Sequence, residues 1–583
     1  MHPSLQSRSW LRAALACGRS SGRCVALSAV ALLLAAAQSA VADEPLHVRI
    51  DQAIAKPLAG QPVAERSSDE EFLRRIYLDL AGRIPSLDEA KEFLEDSSEN
   101  KRAALIDRLL NSPDYARRMQ YVFDIMLMER RPASAVAENE WQEYLYASFA
   151  NNKPFNELAR ELLSADGVED RPPARFYLDR GGDTDILTRD VGRLFFGMDL
   201  QCAQCHDHPL IGDYHQTLYY GIYAFLNRSF VFTDAKTKKT FFAEKAEGEV
   251  AFKSVFDPSV DEKDFKPRLP GGTVIEEPTF AKDEAYIVAP AKDVRPVPKF
   301  SRREQLAKVA TDGSYKPFNR NIANRLWYVM MGRGLFHPLD LDNADNPPSH
   351  PELLDMLGEE FAASGFDIKF MLRELALSET YQRSSILPEG MTTEQAAPER
   401  YAVALLKPLS AEQLAMSMME ATGMLQNQRN SKAAKVDSDP KLKDLLESDP
   451  KRQQLREEMI EKAVHAAVNS NIQQFVNLFG SPPGEPEQDF QATVHQALFF
   501  NNGGLMQSLV SAQSGNLIDR LQKMEDPQAA VETLYLAVFS RLPDETERSE
   551  AVEYLTRDPE AKQQAIQQMI WALLTSSEFR FNH

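Results

Sequence analysis

The residues best placed to do chemistry are Cys202 and Cys205, which sit in the run CAQCHDHP and form Cys-x-x-Cys-His with His206. Two thiols a few bonds apart can each add to a vinyl group of one porphyrin, and the imidazole that follows then lies under the iron; this is the attachment pattern of haem c. The same atoms can serve other ends. Cys202 and Cys205 with His206, His208 and His215 contain enough sulfur and nitrogen for the four-ligand shell of zinc. The pair could instead close a single disulfide or act as a redox dithiol. On the haem reading His206 is the iron ligand. For the opposite face, Met198 and His215 are near in sequence, whereas Met330, Met331, His337 and His350 can arrive only by folding.

A second cluster, Asp340, Asp342, Asn343 and Asp345, crowds into the run DLDNAD. Its oxygens suit a hard cation, but it lacks the glycine and distal glutamate of a calcium loop. The alternative is a polar turn ahead of a helix capped by Ser349 with Glu352 three residues on. No hydrolase elbow, phosphate loop, dinucleotide fingerprint or HExxH run occurs. An enzyme acting on glycans would need an acid and base pair, and among so many Asp and Glu residues the sequence singles out none.

The elements that must position these residues are mostly helical. Apolar residues recur at helical spacing from Glu71 to Met128, broken at GRIPS and at Asn111-Ser112-Pro113, which predicts three helices, the second opened by a Ser86/Glu89 capping box. A loop rich in Pro, Gly and Asp, Asp166 to Asp185, leads to the cysteine helix, where Val191, Leu194, Phe195 and Met198 share a face. Beyond the cysteines, Tyr214, Leu218, Ile222 and Phe225 form one stripe with Tyr219 and Tyr223 beside it, a pattern that serves a core or a cofactor wall. From about Phe230 to Pro298, β-branched and aromatic residues alternate with charges, which predicts a small β-rich insertion. A second helical body starts near Ser301, with Ile322, Leu326, Val329 and Met330 inward on a helix stopped by Gly332 and Gly334. The fold class is therefore a mainly α-helical, multi-helix bundle-like body with a small β-rich insertion. One internal echo stands out: Tyr77-Leu78, Arg83, Pro85 and Glu89 are matched by Tyr535-Leu536, Arg541, Pro543 and Glu547. An Arg and a Pro at a tight interhelical turn point to a structural role.

Composition bounds the rest. The first 42 residues carry Arg8, Arg12, Arg19 and Arg23, no acidic residue, and an apolar run from Val25 to Ala37 before Ala40-Val41-Ala42. This is the pattern of a cleaved signal peptide, followed by a linker over 43–66, and it predicts a periplasmic or extracellular protein. Of the four cysteines, Cys17 and Cys24 leave with the leader, so a disulfide-stapled framework is excluded. The net charge of -20 opposes nucleic acid and anionic membranes, and no membrane span is expected after cleavage.

At this level the chain resembles the planctomycete-type family of exported proteins built from two domains of unknown function, DUF 1549 and DUF 1553, the first also described as cytochrome-like. The N-terminal likeness rests on RRIYLDLAGRIPS, LIDRLLNSPDYA, LFFGMDLQCAQCHDHP and DYHQTLYYGIYAFLNR. The C-terminal one rests on FNRNIANRLWYVMMGRGLFHPLDLDNADNPPSHPELLDML, LSETYQRSS, QALFFNNG, LYLAVFSRLP and WALLTSSEFRFNH. It implies a DUF 1549-like domain over 67–229, an insertion over 230–300 and a DUF 1553-like domain over 301–583. It further implies export, a haem-c-like site at Cys202, Cys205 and His206, and an association with bacteria that degrade complex polysaccharides. The chain departs from the family in having no further haem-binding domain, and in carrying GEPEQDFQATVH, without cysteine, ahead of the QALF helix. The leading expectation is an exported protein that transfers electrons to a redox partner protein or binds ligands at a haem, linked to extracellular polysaccharide metabolism. Its rivals are a scaffold or interaction protein with a Cys/His zinc site or one disulfide, and an extracellular glycan-active enzyme.

Overall fold

Apolar residues at helical spacing bury one face of each N-terminal segment and so fix where the helices lie. The computed structural model describes residues 44–168, 171–281, 284–486 and 493–583; the expected leader lies outside them. Helix α1 (Leu46–Ala55) is followed by α2 (Asp69–Leu80), α3 (Leu87–Glu95), α4 (Lys101–Leu110) and α5 (Pro113–Met128). The run expected to form three helices forms four. The additional break falls at 96–100, where the Asp96 carboxylate accepts the Ser98 N–H at 2.8 Å and offers the backbone a turn in place of a helix. The Ser86/Glu89 capping box is present as expected.

Helices α6 (Glu138–Ala150), α7 (Phe155–Ser164), α8 (Arg175–Leu178), α9 (Thr184–Phe196) and α10 (Gln216–Leu226) complete the N-terminal half. The β-rich insertion then folds as three separate antiparallel pairs: β1 (Ser229–Thr233) with β2 (Thr240–Glu244), β3 (Val250–Lys253) with β4 (Asp261–Phe265), and β5 (Tyr286–Val288) with β6 (Val297–Pro298). Two-stranded pairs are marginal alone, and here the buried Arg302 fastens them to the helices. Its guanidinium donates to the Ala224 and Gly248 carbonyls and to the carboxylates of Glu249 and Glu277.

The second helical run comprises α11 (Arg302–Thr311), α12 (Lys316–Met331), α13 (Pro351–Ala363) and α14 (Ile368–Leu377). After the short strand β7 (Lys407–Pro408) come α15 (Ala411–Ala421), α16 (Met424–Val436), α17 (Pro440–Lys443), α18 (Pro450–Phe479), α19 (Val494–Asn502), α20 (Gly504–Leu509) and α21 (Leu517–Gln522). The chain closes with α22 (Pro527–Phe539), α23 (Glu545–Thr556), α24 (Lys562–Thr575) and strand β8 (Phe581–Asn582). On α12, Ile322, Leu326 and Met330 are buried and Val329 half-buried, and Gly332 ends the helix in the left-handed region. Helix α13 corrects one expectation: its N-cap is His350, not Ser349, because Pro351 is suited to the first helical position and sets the start there.

Two apolar cores result. The first gathers residues from Leu46 to Val403, among them the fully buried Trp141 and Trp327. The second gathers residues from Ala411 to Phe579 and takes Leu78 and Ile84 from the end of α2 and the turn after it. Asp79 pins the cores together: it accepts from Tyr381 Oη at 2.8 Å, Lys407 Nζ at 2.6 Å and Asn582 Nδ2 at 2.8 Å, while β7 pairs with β8. Among the described residues, no helix is long and apolar enough to cross a membrane.

Candidate functional site

The site begins where α9 stops. Gly197 adopts φ 72°, and the N–H groups of Gly197 and Met198 turn back to the carbonyls of Arg193 and Gly192 at 3.2 and 3.0 Å. This closure is one glycine makes without steric cost. The chain then runs antiparallel to the 340s, with Asp199 N–H donating to the Asp340 carbonyl at 2.8 Å and Asp342 N–H to the Gly197 carbonyl at 2.9 Å. Cys202 to Gln204 form a 3-10 turn held by the buried Ala203. The cysteines therefore lie beyond the helix rather than in it, and both thiols are free and exposed.

The three imidazoles are in three different situations. His206 Nδ1 lies 2.6 Å from the Asp207 carbonyl, so the ring proton belongs on Nδ1 and Nε2 keeps its lone pair. His208 Nδ1 accepts the N–H groups of Leu210 and Ile211 at 3.2 and 2.9 Å, which places its proton on Nε2 and leaves the neutral ring no lone pair for a metal. His215 Nδ1 faces Asp207 Oδ2 at 3.2 Å, and Asp207 Oδ1 also accepts the Gln216 N–H at the start of α10. Among the described residues, no group of three or more His, Cys, Asp or Glu is arranged to hold a metal ion.

The acidic run and the cysteine turn, separate in sequence, are one structure. Asp340 pairs with Arg193 at 3.1 Å and with Arg325, and Asp342 pairs with Arg320 at 3.4 Å. Burial raises the Asp342 carboxyl above its ordinary range against the pull of that arginine. Asn343 Oδ1 accepts the N–H groups of Asp345 and Asn346, each at 3.0 Å, and Asp345 accepts the Gly212 N–H at 3.3 Å. Tyr214 Oη donates to the Asp342 carbonyl at 3.1 Å. These oxygens hold the cysteine loop from behind.

On the other side stands an element whose place there leaves no trace in the sequence. The β3–β4 hairpin presents Val255, whose N–H donates to the Cys205 carbonyl at 3.1 Å, and Phe256, whose ring centroid is 4.5 Å from that of His206. Tyr220, next to Tyr219 on α10, donates its hydroxyl to the Gln204 carbonyl at 3.0 Å and stacks on Phe252 at 4.1 Å. Ile222 and Phe225 are core residues. Of the other candidate ligands, Met330 and Met331 line a cavity of about 20 Å³ with Tyr381, Tyr401 and Lys407. His337 stacks near Tyr328, and His350 lies beside Tyr401.

Comparison with known families matches residues 49–230 to PSCyt2, a protein of unknown function (DUF1549), and residues 302–555 to PSD1, a protein of unknown function (DUF1553). The chain carries both domains. No significant match was found among curated proteins or solved structures. The cysteine turn belongs to the DUF1549 domain, the acidic run behind it to the DUF1553 domain, and the hairpin in front of it to the stretch between the two matches. The donor set fits haem c attachment: two exposed free thiols, and an imidazole fixed through Nδ1 with Nε2 open.

Proposed function

We propose that this is an exported protein carrying one covalent haem c, which serves electron transfer to a redox partner protein or haem-based binding. The observation that supports it best is the pairing of two free, exposed thiols on a 3-10 turn with an adjacent imidazole whose Nδ1 is held by the Asp207 carbonyl. Cys202 and Cys205 would hold the porphyrin through thioether bonds, and His206 Nε2 would ligate the iron. The bound group would supply a one-electron couple whose potential depends on the axial ligand and its surroundings. The chain's own contribution is positional. Arg193 and Arg325, through Asp340, anchor the backbone on which the cysteines ride, and the backbone bond to Nδ1 fixes the tautomer a ligand needs.

Export rests on the basic, apolar leader, and a mature terminus near Asp43 is expected by N-terminal sequencing; a mature terminus before Cys24 would contradict it. The link to extracellular polysaccharide metabolism rests on the family resemblance. To test the haem, the chain is secreted from its own signal in a host with an intact haem c maturation system. Intact mass and a pyridine haemochrome spectrum should show one haem per chain, resistant to acidified organic solvent. It should be lost when Cys202→Ala and Cys205→Ala are combined, and misligated in His206→Ala. A bare polypeptide mass with stoichiometric zinc would move the site to the Cys/His zinc alternative. A bare mass short of two hydrogen atoms would leave a disulfide.

A further inference from the structure

The β-rich insertion falls between the two matched domains, yet it touches the cysteine turn at several independent points. Val255 N–H donates to the Cys205 carbonyl at 3.1 Å. Gln216 Nε2 spans the Gln204 and Lys253 carbonyls at 3.5 and 3.4 Å. Tyr220 bonds the Gln204 carbonyl and lays its ring parallel to Phe252, at an interplanar angle of 2°. Phe252 in turn meets Phe265 across the hairpin edge to face at 5.1 Å. The tip is shaped before it meets the turn: Ser254 N–H donates to the Val260 carbonyl, and Ser254 Oγ accepts the N–H groups of Phe256 and Asp257.

What this hairpin delivers is Phe256. Phe256 is 75% exposed, and its ring lies against the His206 imidazole at 4.5 Å with 42° between the planes. Val255 and Leu210, in the segments on either side of His206, are also exposed, at 66% and 84%. An imidazole held only by the Nδ1 bond to Asp207 can still pivot about that bond, and a ring against its face removes this freedom. We infer that the β3–β4 hairpin is the second wall of the His206 site and that Phe256 is its positioning residue, fixing the plane of the imidazole and screening it from water. This rests on the haem reading for its purpose. The contact itself exists without haem, and the two are separated by experiment.

The mature chain is made in two forms, one secreted through haem c maturation and one produced without it. In the haem-free form, the ring current of Phe256 should shift the His206 C–H protons in the NMR spectrum. Phe256→Ala should abolish that shift and Phe256→Tyr should keep it, while the melting temperature changes little because the replaced ring is exposed. In the haem-loaded form, Phe256→Ala should keep the same haemochrome yield, yet exogenous imidazole should displace His206 about tenfold faster, with Phe256→Tyr restoring the slow rate. His206 proton shifts that are identical in the haem-free parent and Phe256→Ala would overturn the inference whatever the haem content, as would unchanged displacement kinetics in the loaded form. A parent chain without haem but with the ring-current shift would instead sink the haem reading while upholding the positioning contact.

Discussion

Arg83 and Arg541 make the same set of bonds at opposite ends of the chain. Arg83 Nη1 donates to the carbonyl of the next residue, Ile84, at 3.0 Å, both Nη atoms reach Glu89 at 2.8 and 3.0 Å, and Nε reaches Asp114 at 3.0 Å. Arg541 repeats this with Leu542 at 3.1 Å, Glu547 at 2.7 and 2.8 Å, and Glu578 at 2.7 Å. In each copy the glutamate also closes a capping box, with Ser86 in the first and Asp544 in the second. One arginine thus ties an interhelical turn to the start of the next helix and to a later carboxylate.

The copies differ in burial, and this sets the first prediction. The Arg83 side chain is 6% exposed and has Glu420 as a further carboxylate at 3.8 Å, whereas that of Arg541 is 28% exposed. Arg83→Ala leaves the buried Glu420 and the half-buried Glu89 and Asp114 without their cation and should cost about 3 kcal/mol. Arg541→Ala should cost about 1 kcal/mol. Denaturant melts check this, and equal losses would contradict the burial argument. On the proposed haem reading neither variant should change haem content, since neither arginine contacts the cysteine turn.

The same cluster sets a pH dependence. Burial would raise the Glu89 carboxyl, but the charge and hydrogen bonds of Arg83 outweigh it and hold it at about 2, while burial drives Glu420 up to about 7. A carboxyl raised in the folded state contributes stability that is full below its unfolded value of 4.5 and is lost as pH rises through about 7. Glu420→Gln should therefore make the decline in stability between pH 4.5 and 7 shallower, measured as urea midpoints across that window, with Asp124, which burial also raises to about 7, keeping a share of it. A decline that the substitution leaves unchanged would contradict the assignment to Glu420.

How much of this was legible in the sequence follows from the range of each interaction. Capping boxes, helix stops and the Arg/Pro turns are written within a few residues, and Ser86/Glu89 and the Gly332 stop were found that way. The break at Asp96 is hidden in the sequence because its cue, a side chain bonding two residues on, competes with good helical spacing on either side. The cysteine motif was plain. Its two walls were not, because Asp199 meets Asp340 and Cys205 meets Val255 only through the fold, and neither pairing leaves a periodic trace. Asp340, Asp342, Asn343 and Asp345 read as a polar turn with a cation site as the weaker alternative, and spacing alone hides the arginines and the amide that the aspartates face.

Arg302 carries the third prediction. Its side chain is fully buried and ties the insertion to the helices, bonding Ala224, Asn227, Gly248, Glu249 and Glu277. Arg302→Ala should cost about 3–5 kcal/mol. Because a two-stranded pair is marginal alone, the loss should concentrate in the insertion, seen as faster hydrogen exchange over 240–265 with the helices around Trp141 still protected. Arg302→Lys should not rescue it, since a single ammonium cannot reach the carbonyls and both carboxylates at once.

The last prediction concerns the acidic run. If Asp340, Asp342 and Asp345 bound a cation, calcium at a hundred times its dissociation constant would add about 2.7 kcal/mol of stability, and a chelator would remove it. Here Asp340 already faces Arg193 and Arg325, Asp342 faces Arg320, and Asp345 accepts the Gly212 N–H. A cation would have to displace the contacts of Arg193 and Arg325 with Asp340 and of Arg320 with Asp342. Neither millimolar calcium nor EDTA should move the melting curve. Asp340→Asn should lower stability by about 1–3 kcal/mol by leaving guanidinium donors underbonded. Arg193 would keep Glu129 and Asp190, so the helix α9 end should hold while the loop it supports loosens. The sensitive readout is therefore the cysteine turn: in the haem-free chain, a thiol-reactive probe should label Cys202 and Cys205 at a different rate in Asp340→Asn than in the parent. A calcium-dependent rise in melting temperature that Asp340→Asn abolishes would overturn this account and restore the cation site.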